Sequence, residues 1–83
     1  MSTALTTFVF KGEREKQMDL DISLSITTGQ CLELLKQAQW LPDDWEFKCE
    51  VSRTGEEWVE LRSHTVLAEV IQGDGAIVRI VPY

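Results

Sequence analysis

The 83 residues, 43% of them hydrophobic and including three Trp and three Phe, are enough for one modest core, in a domain of the size that buries roughly 60–65% of its unfolded surface. The net charge is −6, with five acids against four bases in residues 1–42 and nine against four in residues 43–83; such a balance repels phosphate backbones and anionic lipid surfaces, which disfavours nucleic acid and acidic membranes as partners. No run approaches the roughly 20 apolar residues of a membrane span, and Met1-Ser2-Thr3-Ala4 lacks the basic start and apolar stretch of a signal peptide, so a cytoplasmic domain with no direct membrane insertion is expected.

In chain order, Leu5 to Lys11 carries Thr6, Thr7, Phe8, Val9 and Phe10, a composition that favours a strand. Gly12-Glu13-Arg14-Glu15 is a polar turn opened by glycine. From Lys16 to Ile26 the apolar residues Met18, Leu20, Ile22, Leu24 and Ile26 alternate with polar ones, which predicts a second strand whose Asp19, Asp21, Ser23 and Ser25 side faces water. The rhythm then changes. Cys31, Leu34, Leu35 and Ala38 fall on one side of a helix from about Thr28 to Trp40, and Thr27 with Gln30 fits a capping box at its start. Pro42 stops it.

A third strand alternates Trp45, Phe47, Cys49 and Val51 with Glu46, Lys48 and Glu50. After a turn at Arg53-Thr54-Gly55-Glu56, a short fourth strand spans Glu57 to Leu61. Val66, Leu67, Val70 and Ile71 fit one turn of helix, Gly73-Asp74-Gly75 breaks the chain, and the apolar run Ala76 to Val81 is expected to be a central strand. A right-handed crossover after the first hairpin lays the helix over one sheet face and sets the last strand parallel to the first. The predicted fold is α+β: a β-grasp of four to five strands in a mixed sheet on one helix, a single domain over residues 1–83 with residues 1–4 flexible.

With that order established, the chain resembles the ubiquitin-like proteins. Leu41-Pro42-Asp43-Asp44 is similar to ubiquitin's apolar-Pro-Pro-Asp helix exit, Thr65 followed by Ile71-Gln72 is similar to its Thr-Leu stretch ending in Ile-Gln, and Gly73-Asp74-Gly75 is similar to the Gly-Asp approach to the last strand. Two departures matter. Where conjugating members and sulfur carriers end in Gly-Gly, Arg79-Ile80-Val81-Pro82-Tyr83 stands here, so no conjugation or sulfur-carrier chemistry is carried over. Glu46, Lys48 and Glu50 replace the exposed isoleucine of ubiquitin's recognition patch, so ubiquitin-reading domains are expected to ignore this chain. Among non-conjugating members it is most similar to the YukD family, small bacterial proteins that accompany the type VII system exporting WXG-motif proteins. That resemblance implies a non-catalytic accessory or regulatory module with a protein partner, a membrane secretion component among the candidates. The alternative is a small non-catalytic ubiquitin-like subunit of a multicomponent enzyme.

The residues themselves offer little chemistry. Cys31 and Cys49 lie on predicted apolar faces and read as buried thiols, although Cys31 sits in a first helical turn that can lower a thiol pKa. His64 has Ser63 and Thr65 beside it but no recognisable nucleophile turn. Asp19 and Asp21 have no apolar surroundings to shift them, and Asp43, Asp44 and Glu46 lack the ligand spacing of a calcium loop. No catalytic set, metal or cofactor is expected. Trp40, Trp45 and Trp58 either close one end of the core or present an anchor to a partner. If Val78 and Ile80 face the helix, then Ile77, Arg79 and Val81 face the open side of the sheet and, with Lys48, form a small contact patch. On that reading Arg79 is an exposed strand charge, near neutral for folding.

Overall fold

The computed structural model describes residues 3–12, 14–42 and 46–83. Along these, β1 (Thr3–Lys11), β2 (Glu15–Ser23), α1 (Thr28–Gln37), β3 (Phe47–Ser52), β4 (Val59–Leu61), a 3-10 turn (Leu67–Glu69) and β5 (Ala76–Pro82) follow one another. The five strands form one mixed sheet in the order β2-β1-β5-β3-β4. β5 is central and parallel to β1, and the other pairs are antiparallel. The mixed sheet on one helix is the predicted architecture.

One face of the sheet is apolar because its strands alternate in phase. Ala4, Thr6, Phe8 and Phe10 of β1, Val78 and Ile80 of β5, and Cys49 and Val51 of β3 are buried there under Cys31 and Leu35 of the helix. Strand β1 therefore begins earlier than its composition suggests. It takes in Thr3 and Ala4, which the sequence reading left flexible, and Ala4 is 1% exposed. β2 ends earlier, at Ser23, although the alternation runs on to Ile26. There the carbonyls of Leu24 and Ile26 accept hydrogen bonds from the backbone N–H groups of Ala68 and Leu67 at the 3-10 turn. The apolar rhythm persists because both residues still face the core, while their backbone leaves the ladder.

The helix start is fully provided for. The Gln30 N–H donates to the Thr27 hydroxyl, and the Gln30 side-chain carbonyl accepts from the Thr27 N–H, completing the predicted capping box. The next two free donors, on Thr28 and Gly29, bond the carbonyls of Thr65 and Ser63 at 2.9 Å each. The approach is close: a β-carbon on residue 29 would lie 3.1 Å from the Ser63 oxygen. The helix closes at Gln37, with Ala38 as its cap and Gln39 in the left-handed region at φ 62°, short of the Trp40 end expected from the sequence. Its buried stripe is also narrower than predicted: Cys31 and Leu35 are in the core, but Leu34 is 55% exposed and Ala38 is exposed.

β4 is shorter than the predicted Glu57 to Leu61, because only Val59–Leu61 pairs with β3. At the approach to β5, Gly75 has φ 100°, where L side chains are strained, and its N–H donates to the Leu5 carbonyl while Asp74 Oδ1 accepts from the Leu5 N–H. Beyond β5 the Tyr83 N–H bonds the Glu46 carbonyl. The Asp43-Asp44 pair and Trp45 lie outside the described residues.

Candidate functional site

The sheet has a second face that the helix does not cover. Because Val78 and Ile80 are buried beneath α1, strand alternation turns Ile77, Arg79 and Val81 to this open side. The cross-strand register fills in their neighbours. Val9 and Glu50 flank Arg79, Lys48 is opposite Val81, and Thr7 and Ser52 flank Ile77. Lys48, Ile77, Arg79 and Val81, singled out from the sequence, thus share one face.

Arg79 is not the free strand charge that the sequence suggested. Its Nε and Nη2 donate to Glu50 Oε1 at 3.2 and 2.9 Å. Its guanidinium carbon lies 4.0 Å from the centre of the Trp58 ring. The Arg79 and Glu50 side chains are only 28% and 20% exposed, so the pair is partly screened from water and is worth more than a surface ion pair. Stacking on Trp58 adds a cation–π contact. Lys48, by contrast, sits 3.7 Å from Glu60 with both side chains well exposed, a contact of little energetic weight. Ile77 meets the 53–56 turn, where a β-carbon on Gly55 would lie 3.8 Å from its Cδ1. The Ser52 hydroxyl holds that turn by accepting from the N–H groups of Thr54 and Gly55.

Trp58 therefore belongs to the open face and not to an aromatic cluster with Trp40. Trp40 lies at the other side of the molecule, 6.1 Å from the Phe10 ring, which in turn meets Phe47 edge-on at 5.6 Å. Lys16 reaches over both Trp40 and Phe10, at 5.0 and 5.5 Å. Trp40 packs beside the core and Trp58 braces an arginine, so the expected single aromatic cluster at one end of the core is not formed by these two residues.

The cysteines are free and buried, at 6% and 3% exposure. Burial pushes the Cys31 thiol up to about 11. Burial, and then the charge of a nearby Cys31 thiolate, push Cys49 up to about 12. The apolar setting outweighs the helix start at Cys31, whose donors are already committed. His64 is exposed on the loop whose Ser63 and Thr65 carbonyls hold that helix start. Asp19 faces solvent and accepts from the Thr7 hydroxyl at 2.7 Å. Among the described residues no group of three or more His, Cys, Asp or Glu is placed to hold a metal ion, and no helix is long and apolar enough to cross a membrane.

Glu50 and Trp58 were missed as partners of Arg79. Which glutamate stands across from an arginine depends on strand register, and register follows from pairing that no local pattern contains. Val9 was legible: it is out of phase with Phe8 and Phe10, so it had to face the same way as Arg79 once β1 and β5 were paired.

No protein-family model matches the sequence, and no curated protein matches it. Two solved structures are similar in three dimensions. One is the architecture of Trypanosoma brucei tubulin-binding cofactor B, with a TM-score of 0.78 at 12% identity over 98% of this chain and 95% of that one. The other is the solution structure of a ubiquitin-like domain from tubulin-binding cofactor B, with a TM-score of 0.58 at 8% identity over 98% and 92%. Likeness at such low identity speaks to the fold, and the fold of this chain is the ubiquitin-like β-grasp.

Proposed function

We propose that this chain is a non-catalytic ubiquitin-like module that binds a protein partner through the open face of its sheet. The observation that carries the proposal is the braced Arg79. Its side chain is held between Glu50 and Trp58 before any partner arrives, so little of its conformational freedom remains to be lost on binding. Val9, Ile77 and Val81 supply half-buried apolar surface around it, with Lys48 at the rim. An arginine and an aromatic ring amid apolar side chains are what protein interfaces favour. The cysteines, the residues with most intrinsic reactivity, are held as thiols in the core, which supports a binding role over a catalytic one.

The resemblance to the YukD family supports a bacterial, cytoplasmic accessory or regulatory role in type VII secretion, with a membrane secretion component as the partner. The likeness in fold to tubulin-binding cofactor B supports a second reading in which the partner is tubulin. Affinity purification from a native lysate, run in parallel with the wild type and with Val81→Glu, tests the proposal. A secretion component recovered by the wild type and lost with Val81→Glu is the expected result. Tubulin in its place favours the second reading, and a large catalytic chain favours a subunit of a multicomponent enzyme. A partner retained in full by Val81→Glu removes the open face from the account.

A further inference from the structure

The β3–β4 end of the sheet holds a cavity on the helix side, apart from the open face. Val51 and Val59 stand directly opposite each other in the β3–β4 pair, in phase with the buried Cys49 and Leu61. Val51 is 4% exposed and Val59 is 59% exposed, so the apolar layer of the core runs out to the surface here. With Val70, just past the 3-10 turn, they wall a cavity of about 370 Å³ whose lining also takes in the exposed Arg53, Thr54 and Glu57. That volume is at the low end of the roughly 300–1,000 Å³ of small-molecule clefts, which fits a small occupant.

Both charges in this lining are uncommitted. Among the described residues, neither the Arg53 nor the Glu57 side chain takes part in a hydrogen bond or an ion pair. They border one cavity without meeting each other. The turn between them is nevertheless braced: the Ser52 hydroxyl accepts from the N–H groups of Thr54 and Gly55, and the Thr54 hydroxyl accepts from the Glu56 N–H. A free cation and a free anion therefore flank an apolar floor on a backbone that is already ordered.

We propose that this cavity binds a free α-amino acid with a branched aliphatic side chain. The side chain covers Val51, Val59 and Val70, the carboxylate meets the Arg53 guanidinium, whose fork matches it, and the ammonium meets Glu57. Charge selects this class. A simple aliphatic carboxylate sets its charge against Glu57, and an aliphatic amine sets its charge against Arg53. A longer peptide carries its ammonium and carboxylate on different residues and cannot bring both to one small site.

The test is a ¹⁵N chemical-shift titration of the full chain with L-leucine, 4-methylpentanoate, 3-methylbutylamine and L-alanine at pH 7. Leucine is expected to give saturable shifts confined to residues 51–59 and 70, with a dissociation constant on the order of 1 mM, as befits a ligand held by exposed charges. The other three compounds, each lacking one of the recognised groups, are expected to bind at least about threefold more weakly. Glu57→Gln weakens leucine and erases its advantage over 4-methylpentanoate. Arg53→Gln weakens leucine and erases its advantage over 3-methylbutylamine. Both side chains are exposed, so both variants keep the wild-type melting temperature, which separates loss of the site from loss of the fold. No saturable shift with leucine up to about 50 mM, shifts centred outside the cavity, or equal binding of leucine and 4-methylpentanoate to the wild type would each overturn the proposal.

Discussion

Replacing Arg79 with glutamate removes two charge-assisted hydrogen bonds to Glu50 and the stack on Trp58, and sets a second carboxylate across from Glu50. Hydrogen bonds to a charged group contribute about 1.5–3 kcal/mol, the cation–π contact about 0.5–1, and the like-charge pair costs a few tenths more. The pair is less than a third exposed, so solvent discounts these values only in part, and a loss of about 2–4 kcal/mol follows. A chain of this length has about 4–12 kcal/mol of stability in total. The melting temperature is therefore expected to fall by roughly 8–32 °C, at about 4–8 °C per kcal/mol for a domain this small. Thermal and urea denaturation followed by circular dichroism measure it. A cycle of Arg79→Met, Glu50→Gln and the double variant isolates the pair, with an expected coupling of about 1 kcal/mol or more. If Arg79→Glu melts within about 3 °C of the wild type, or the cycle shows no coupling, the braced arginine is not a structural element and its preorganisation cannot support docking. Val81, and not Arg79, carries the binding test because a change at Arg79 perturbs folding and docking together.

Thr27→Ala removes half of the capping box and is expected to cost about 1 kcal/mol, read as a drop of roughly 4–8 °C in melting temperature. The narrow helix stripe predicts a sharp contrast between neighbours: Leu35→Ala loses about 2–5 kcal/mol in urea denaturation, and Leu34→Ala stays within about 0.5 kcal/mol. Both thiols hold their protons more tightly folded than unfolded, so their contribution to stability is complete below about pH 9 and is lost as the pH rises toward the folded values of about 11 and 12. Between pH 8.5 and 10 the two together are expected to remove about 2 kcal/mol, from roughly 1.4 kcal/mol per pH unit for each; urea midpoints over that range check it, and the variant Cys49→Val is expected to flatten the slope.

The elements that were legible in the sequence are those whose side chains answer to one partner layer. Met18, Leu20 and Ile22 announce a half-buried strand, Thr27 and Gln30 announce a helix start, and the run from Ala76 to Val81 announces a strand between two others. The ends were less legible, because they are decided by long-range partners. β2 stops where Ala68 and Leu67 take the carbonyls of Leu24 and Ile26. Leu34 looks like core by spacing and is exposed, since the edge strand β2 has no neighbour to complete the groove above it. The open-face residues followed from strand phase alone, whereas the bracing of Arg79 required knowing that β3 sets Glu50 beside it.

The most direct measurement places a photo-activated cross-linker at residue 81 in one sample and at Gln37, on the exposed side of the helix, in another, each in the native host. One defined adduct from residue 81, competed away by excess unmodified protein, is expected, with none from residue 37. An adduct from residue 37 alone, or the same adduct from both positions, would contradict docking through the open face of the sheet.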